Sequence, residues 1–246
     1  MYDPKFRLGW NASDPLAEKY YPISTYAFCA GNPINNIDWN GQEVIALTYA
    51  AQRAILNTLP RDLQKHVVFN PNGTINKVLL NSTKSNSGNY VALSSLVYDK
   101  RIYEVIVTDK IVYKDENGTL NEKGLGDITQ TNNYVGSFGF NTGEDGWQGV
   151  TQTPGDAPRK YNSPDENVKI VINSNLSEKG QAQTFAHEGY GHSYLYSKGI
   201  VHTHQYINTA FGFKEGNQVL SEAIRQAIKE TITNMNNKPK ESWEKW

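Results

Sequence analysis

Two histidines five residues apart, inside a stretch that otherwise reads as helix, constrain this chain more than any other feature. His187-Glu188-Gly189-Tyr190-Gly191-His192 falls within a helical candidate over 178–197, directly after the strand-like run Val168-Lys169-Ile170-Val171-Ile172-Asn173. At about 100° per residue, five steps leave two side chains about 140° apart on a regular α-helix. They could not then reach a common point. An inserted residue of π type would bring them back together, and such bulges are enriched at functional sites. Gly189 and Gly191 make the distortion cheaper, each already costing about 1 kcal/mol of helix propensity. The spacing therefore predicts either a bulged helix or two unrelated histidines.

Convergence would have a chemical use. Four of the five histidines lie between residues 187 and 204. Zinc hydrolases hold their metal with two neutral imidazoles and a further ligand, commonly a carboxylate, and keep one position open for water. A glutamate beside the first histidine then takes the proton from that water as it attacks a carbonyl. His187 and His192 are the expected zinc ligands and Glu188 the expected catalytic base. Tyr190 and Tyr194 are either donors to a developing oxyanion or core aromatics. His66 reads as structural.

The rest of the chain supplies an α+β setting. Residues 43–58 carry apolar side chains at helical spacing and end before Pro60. Strand-like runs follow at 67–69, 77–80, 103–108, 111–113, 134–140 and 168–173, with Gly, Asn and Asp between them. Gly149-Val150-Thr151-Gln152-Thr153-Pro154 is read either as a surface hairpin or as an edge strand to which an extended peptide could add. A second helix is expected over 217–235. The reading is thus a β-rich N-terminal half followed by a pair of helices.

Residues 1–42 differ in texture, being dense in Pro, Asn, Asp and aromatics with turn signals at Asp3-Pro4, Asp14-Pro15, Asn32-Pro33 and Asn40-Gly41. The stretch Asp14-Pro15-Leu16-Ala17-Glu18-Lys19-Tyr20, then Tyr26-Ala27-Phe28-Cys29-Ala30-Gly31-Asn32-Pro33-Ile34-Asn35 and Ile37-Asp38, resembles the Rhs repeat-associated core. The family's usual Asp-Pro-x-Gly ending stands here as Asp38-Trp39-Asn40-Gly41. The resemblance implies a division into a core-associated tail over 1–42 and an effector or toxin domain over 43–246. It also implies secretion or cell-surface delivery on an Rhs-type carrier, and a cognate immunity protein as partner. Met1-Tyr2-Asp3-Pro4-Lys5 lacks the basic-then-apolar pattern of a signal peptide.

The six-residue motif resembles the His-Glu-x-x-Gly-His pattern of the dipeptidyl-peptidase III family, in which a lengthened motif still binds zinc, and this resemblance implies the bulged helix rather than two unrelated histidines. Ser221-Glu222-Ala223 resembles the Asn-Glu-Ala segment that supplies a glutamate ligand in thermolysin-like enzymes. These likenesses imply a zincin-like helix pair, a metallopeptidase acting on a peptide or protein, and Glu222 as third metal ligand. Glu230, on the same helix, stands in reserve. His202 and His204 are the alternatives, since metzincin-like sites take a third histidine shortly after the motif.

Composition narrows the classes. The formal net charge is −1 with no basic block, which disfavours a nucleic-acid groove and leaves a metal-dependent nuclease toxin as a lesser alternative. A non-catalytic structural or interaction module of an Rhs tip is the main competitor. Cys29 is the only cysteine, so neither an internal disulfide nor a cysteine zinc site can form. No apolar run approaches the length of a membrane span.

Overall fold

The structure, a computed structural model, describes residues 43–126, 147–154, 161–209 and 212–237. The proposed tail over 1–42 and the strand expected at 134–140 lie outside the described residues.

The architecture is mixed α+β, centred on a four-stranded sheet. Strands β1 (Val44–Ile45), β2 (Tyr103–Thr108) and β6 (Val168–Asn173) run parallel, and β5 (Gly149–Gln152) closes the far edge antiparallel to β6. Every residue of β6 is buried, as expected of a central strand covered on both faces. Val168, Ile170 and Ile172 face the main core with the helices. On the other face Val171 packs with Ile111 and Leu125 under the hairpin β3 (Lys110–Lys114) and β4 (Leu120–Gly124).

The front of the described chain is helical rather than β-rich. The run 43–58 divides: Val44 and Ile45 pair with Tyr103 and Glu104, and a helix starts only at α1 (Tyr49–Leu56). Its start is set by Thr48, whose side chain accepts the Ala51 N–H as an N-cap. The short helix α2 (Arg61–Gln64) follows. The run 77–80 is the short helix α3 (Lys77–Leu80), because the Asn76 side chain caps the Leu79 N–H and nucleates a turn. A strand there would have had little to bury, since Val78 and Leu79 are exposed. Residues 67–69 form no strand; Phe69 makes only an isolated bridge to Ile75. Helix α4 (Gly88–Val97), capped by Ser87, has no counterpart in the sequence reading.

The two expected helices are present. The first is continuous through α5 (Glu178–Phe185), a π-helical segment (Ala186–Ser193) and α6 (Tyr194–Ser197). Ser177 caps it by accepting the Gly180 N–H. The second is α7 (Gln218–Asn236), amphipathic with Leu220, Ser221, Ile224, Ala227, Ile228 and Thr231 buried. Between them lies a two-stranded ribbon, β7 (Tyr206–Thr209) and β8 (Gly212–Glu215).

A buried amide fastens these layers. The Asn89 side chain donates to the carbonyls of Thr58 and Ala227 and to the Thr231 hydroxyl, tying α4, the end of α1 and α7 together. No described helix is long and apolar enough to cross a membrane.

Candidate metal centre

The lengthened motif is accommodated as its spacing requires. The π segment spans Ala186–Ser193, and the Tyr194 N–H donates to the Gly189 carbonyl five residues back. In such a ladder the residue five ahead lies nearly one turn on, as the residue four ahead does in an α-helix. His187 and His192 therefore meet, with their Nε2 atoms 3.2 Å apart.

The two glycines have a further use that propensity does not reveal. A β-carbon at Gly191 would stand 2.5 Å from Ile224 Cγ1 of α7, and one at Gly189 would stand 3.0 Å from the Phe185 ring. Gly191 sits where α7 approaches closely and Gly189 beneath the Phe185 ring four residues back in the same helix, so packing fixes them as well as the bulge.

His204 completes the cluster. One ring nitrogen each from His187, His192 and His204 lie within 4.8 Å of one another, close enough to bind one metal ion. Two nitrogens bound to a tetrahedral zinc at ~2.05 Å would stand ~3.3 Å apart, and the observed 3.2 Å between His187 and His192 matches that spacing. The donor set is all imidazole, which suits zinc, copper, iron or nickel and does not suit magnesium or calcium.

Protonation favours metal binding. The backbone carbonyl of His202 is the partner of His192 Nδ1. A carbonyl can only accept, so Nδ1 carries a proton, which leaves Nε2, the nitrogen facing His187, as the one a metal could bind. His187 is 5% exposed. Its burial, with the neighbouring His192 and His204, holds its pKa well below the ordinary imidazole value and keeps the ring neutral.

Glu188 stands beside the cluster. Its Oε1 is 3.9 Å from His187 Nε2, and its Oε2 accepts a 2.8 Å hydrogen bond from the Thr151 hydroxyl of β5. Burial pushes the carboxyl up from 4.5 to about 7, against the opposing pull of that hydrogen bond. Thr151 reaches it because β5 lies close on the helix: a β-carbon at Gly149 would stand 2.5 Å from Thr184 Cγ2 and 2.6 Å from the Val171 carbonyl.

Other expected residues lie elsewhere. Glu222 is on the solvent face of α7, paired with Arg225 and hydrogen-bonded at 2.7 Å by Gln226. It is not part of the histidine cluster, because the buried face of α7 is set by Leu220, Ser221 and Ile224 and Glu222 points away from it. Glu230 caps α4, accepting from Ser87 Oγ and at 3.1 Å from the Asn89 N–H. The His202 ring is buried edge-on against Tyr196, with centroids 5.1 Å apart, so this residue serves the site through its carbonyl. Tyr190 is a core aromatic, edge-on to Phe185 and bonded through its hydroxyl to Thr58 at 2.9 Å. Tyr194 packs against the main core. His66 Nδ1 bonds Ser82 Oγ at 2.8 Å, in keeping with a structural role.

Two contributors escape the sequence reading: the Thr151 hydroxyl and the His202 carbonyl. The first has a weak signal in the edge-strand alternative for 149–154; the second has none, since a backbone carbonyl leaves no mark in residue identity. Comparison with protein-family models, with curated proteins and with solved structures gives no match.

Proposed function

We propose that this chain is a zinc-dependent metallopeptidase, the effector domain of an Rhs-type protein delivered to or beyond the cell surface. The observation that carries the reading is one buried corner holding three convergent imidazoles and a carboxylate 3.9 Å from one of them. His187, His192 and His204 would hold the metal. Glu222, the expected third ligand, lies on the solvent face of α7 with Arg225 and Gln226, so this reading gives the third place to His204, one of the alternatives. A zinc ion there would supply Lewis acidity, polarising a substrate carbonyl and easing loss of a proton from water.

Glu188 is then the proton acceptor. Burial raises its carboxyl to about 7 in the metal-free fold, and a bound cation would hold it ionised, the form that takes a proton from water and returns it to a leaving amine. Thr151 keeps one of its oxygens hydrogen-bonded and so fixes the orientation of the other. β5 forms the outer edge of the sheet and its Thr151 touches the catalytic carboxylate. An extended peptide pairing along that edge would pass beside Glu188, and this favours a peptide over other carbonyl substrates. The Rhs resemblance of residues 1–42 supports delivery by a carrier and an immunity partner.

The test pairs metal analysis with a peptide-library cleavage assay on the full chain, alongside Glu188→Gln. Wild type with one zinc and measurable cleavage, and Glu188→Gln with zinc retained and cleavage lost by at least ~100-fold, is the expected result. Zinc retained with no cleavage by wild type across the library would overturn the peptidase reading and leave a metal-stabilised interaction module.

A further inference from the structure

The stretch 198–205 has no regular secondary structure, yet it supplies two parts of the metal centre. The His202 carbonyl fixes the tautomer of His192, and His204, two residues on, contributes the third ring. A loop that must place a carbonyl and an imidazole against a rigid helix needs its own anchor. At its start the Ile200 N–H donates to the Leu195 carbonyl at 2.9 Å, which fastens it to α6. At the ligand-bearing end the Gly216 N–H donates to the Gln205 carbonyl, and the side-chain anchor is Asn217.

The Asn217 side chain acts in two directions. Its Oδ1 accepts the Leu220 N–H at 3.1 Å and caps the N-terminus of α7. Its Nδ2 donates to the carbonyl of Val201 at 2.9 Å and to that of Thr203 at 3.2 Å. Those two carbonyls flank His202 in the chain, so one amide holds both neighbours of the carbonyl that holds His192. Helix α7 is itself locked against the motif helix where Ile224 meets Gly191. The chain of contacts therefore runs from the π segment through α7 to Asn217 and back to His202 and His204.

We propose that Asn217 is a positioning residue of the metal centre, setting the His202 carbonyl and the His204 ring against the His187–His192 pair. This rests on the reading of the three histidines as a metal site. Replacing an outer partner of a metal ligand characteristically costs 10–100-fold in affinity. Asn217 acts one step further out, and a loss of about tenfold is expected.

Asn217→Ser and Asn217→Asp separate the two jobs. Serine and aspartate are both good N-caps and keep an oxygen for the Leu220 N–H, while neither offers the amide donor that holds Val201 and Thr203. Zinc affinity would be measured on the full chain by competition with a chromophoric chelator, the visible spectrum of the cobalt-substituted protein recorded, and the melting temperature of the metal-free protein taken as a fold control. Expected are a roughly tenfold or greater loss of zinc affinity and an altered cobalt spectrum in both variants, with the metal-free melt within a degree or two of wild type. Wild-type affinity and spectrum in both variants would overturn the inference alone. A metal-free melt that falls enough to account for the weaker binding would also overturn it, reducing Asn217 to a helix cap. A wild-type chain that takes up no stoichiometric zinc would remove the metal centre and the inference with it.

Discussion

Glu188 gives the sharpest quantitative test, because its environment opposes the charge that its proposed role requires. Its carboxyl is pushed from 4.5 to about 7 by burial. Since the folded-state value is the higher one, its contribution to stability is present in full below pH 4.5 and is lost as pH rises through about 7. The raised value therefore costs the metal-free fold about 3 kcal/mol at pH 8, where the folded group is ionised, and about 1 kcal/mol at pH 5, where the unfolded chain alone ionises it. Glu188→Gln removes that cost and keeps an oxygen for the Thr151 hydroxyl. Any constant penalty from burying an amide in place of a carboxylic acid is the same at both pH values, so the difference between them isolates ionisation. In urea melts of chelator-treated protein, the variant should gain about 2 kcal/mol more over wild type at pH 8 than at pH 5. With a slope of about 2 kcal/mol per molar, the extra shift in midpoint is about 1 M. A gain that does not change with pH would refute the claim that Glu188 is held in a site hostile to its charge.

Further expectations concern the ligands and the packing of the motif helix. His187→Ala, His192→Ala and His204→Ala should each abolish stoichiometric zinc by mass spectrometry. Glu222→Ala should leave zinc content unchanged, because its partners are Arg225 and Gln226 on the surface of α7; loss of zinc in that variant would restore the glutamate-ligand scheme. Gly191→Ala drives a methyl group to within 2.5 Å of Ile224 Cγ1. It should destabilise by about 1–3 kcal/mol in a denaturant melt, the range for overpacked sites. An unperturbed melt would mean α7 does not lie tightly on the π segment.

Much of this arrangement was legible in local sequence, and the reasons it stopped where it did are physical. β2 and β6 were readable to the residue because each is a six-residue run rich in Val and Ile, fully buried in β6 and partly buried in β2, and too short for a helix. The π segment was readable because two histidines five apart can meet only if the helix is not regular. The helices at 77–80 and 88–97 were not readable, since their starts are set by single capping side chains, Asn76 and Ser87, within Ser/Asn-rich stretches that equally suit turns. The choice of a third residue beside the two histidines stayed open for a different reason. Glu222 and His204 are both at workable separations from His192, and only the phase of α7 against its neighbours decides between them. That phase is set by Gly191 receiving Ile224, a contact across 33 positions of sequence that no local pattern encodes.

Three neutral imidazoles would leave a bound divalent cation with its full charge, and Glu188 is the carboxylate placed to respond to it. A nearby cation reverses the electrostatics that raise the carboxyl to about 7 in the metal-free fold, and should drive it to the ionised form. Metal binding must then expel a proton from Glu188 whenever the metal-free carboxyl is protonated. At pH 6 about nine-tenths of the carboxyls carry that proton, and at pH 8 about one-tenth. Proton release on zinc binding, measured calorimetrically in buffers of different ionisation enthalpy, should therefore exceed that of Glu188→Gln by about 0.9 at pH 6 and about 0.1 at pH 8. Protons lost from the histidines are common to both proteins and cancel. His187 itself should contribute little, since its ring is already held neutral by burial. Equal release by the two proteins at pH 6 would place the carboxylate outside the field of the metal, and with it outside reach of the water it is proposed to deprotonate.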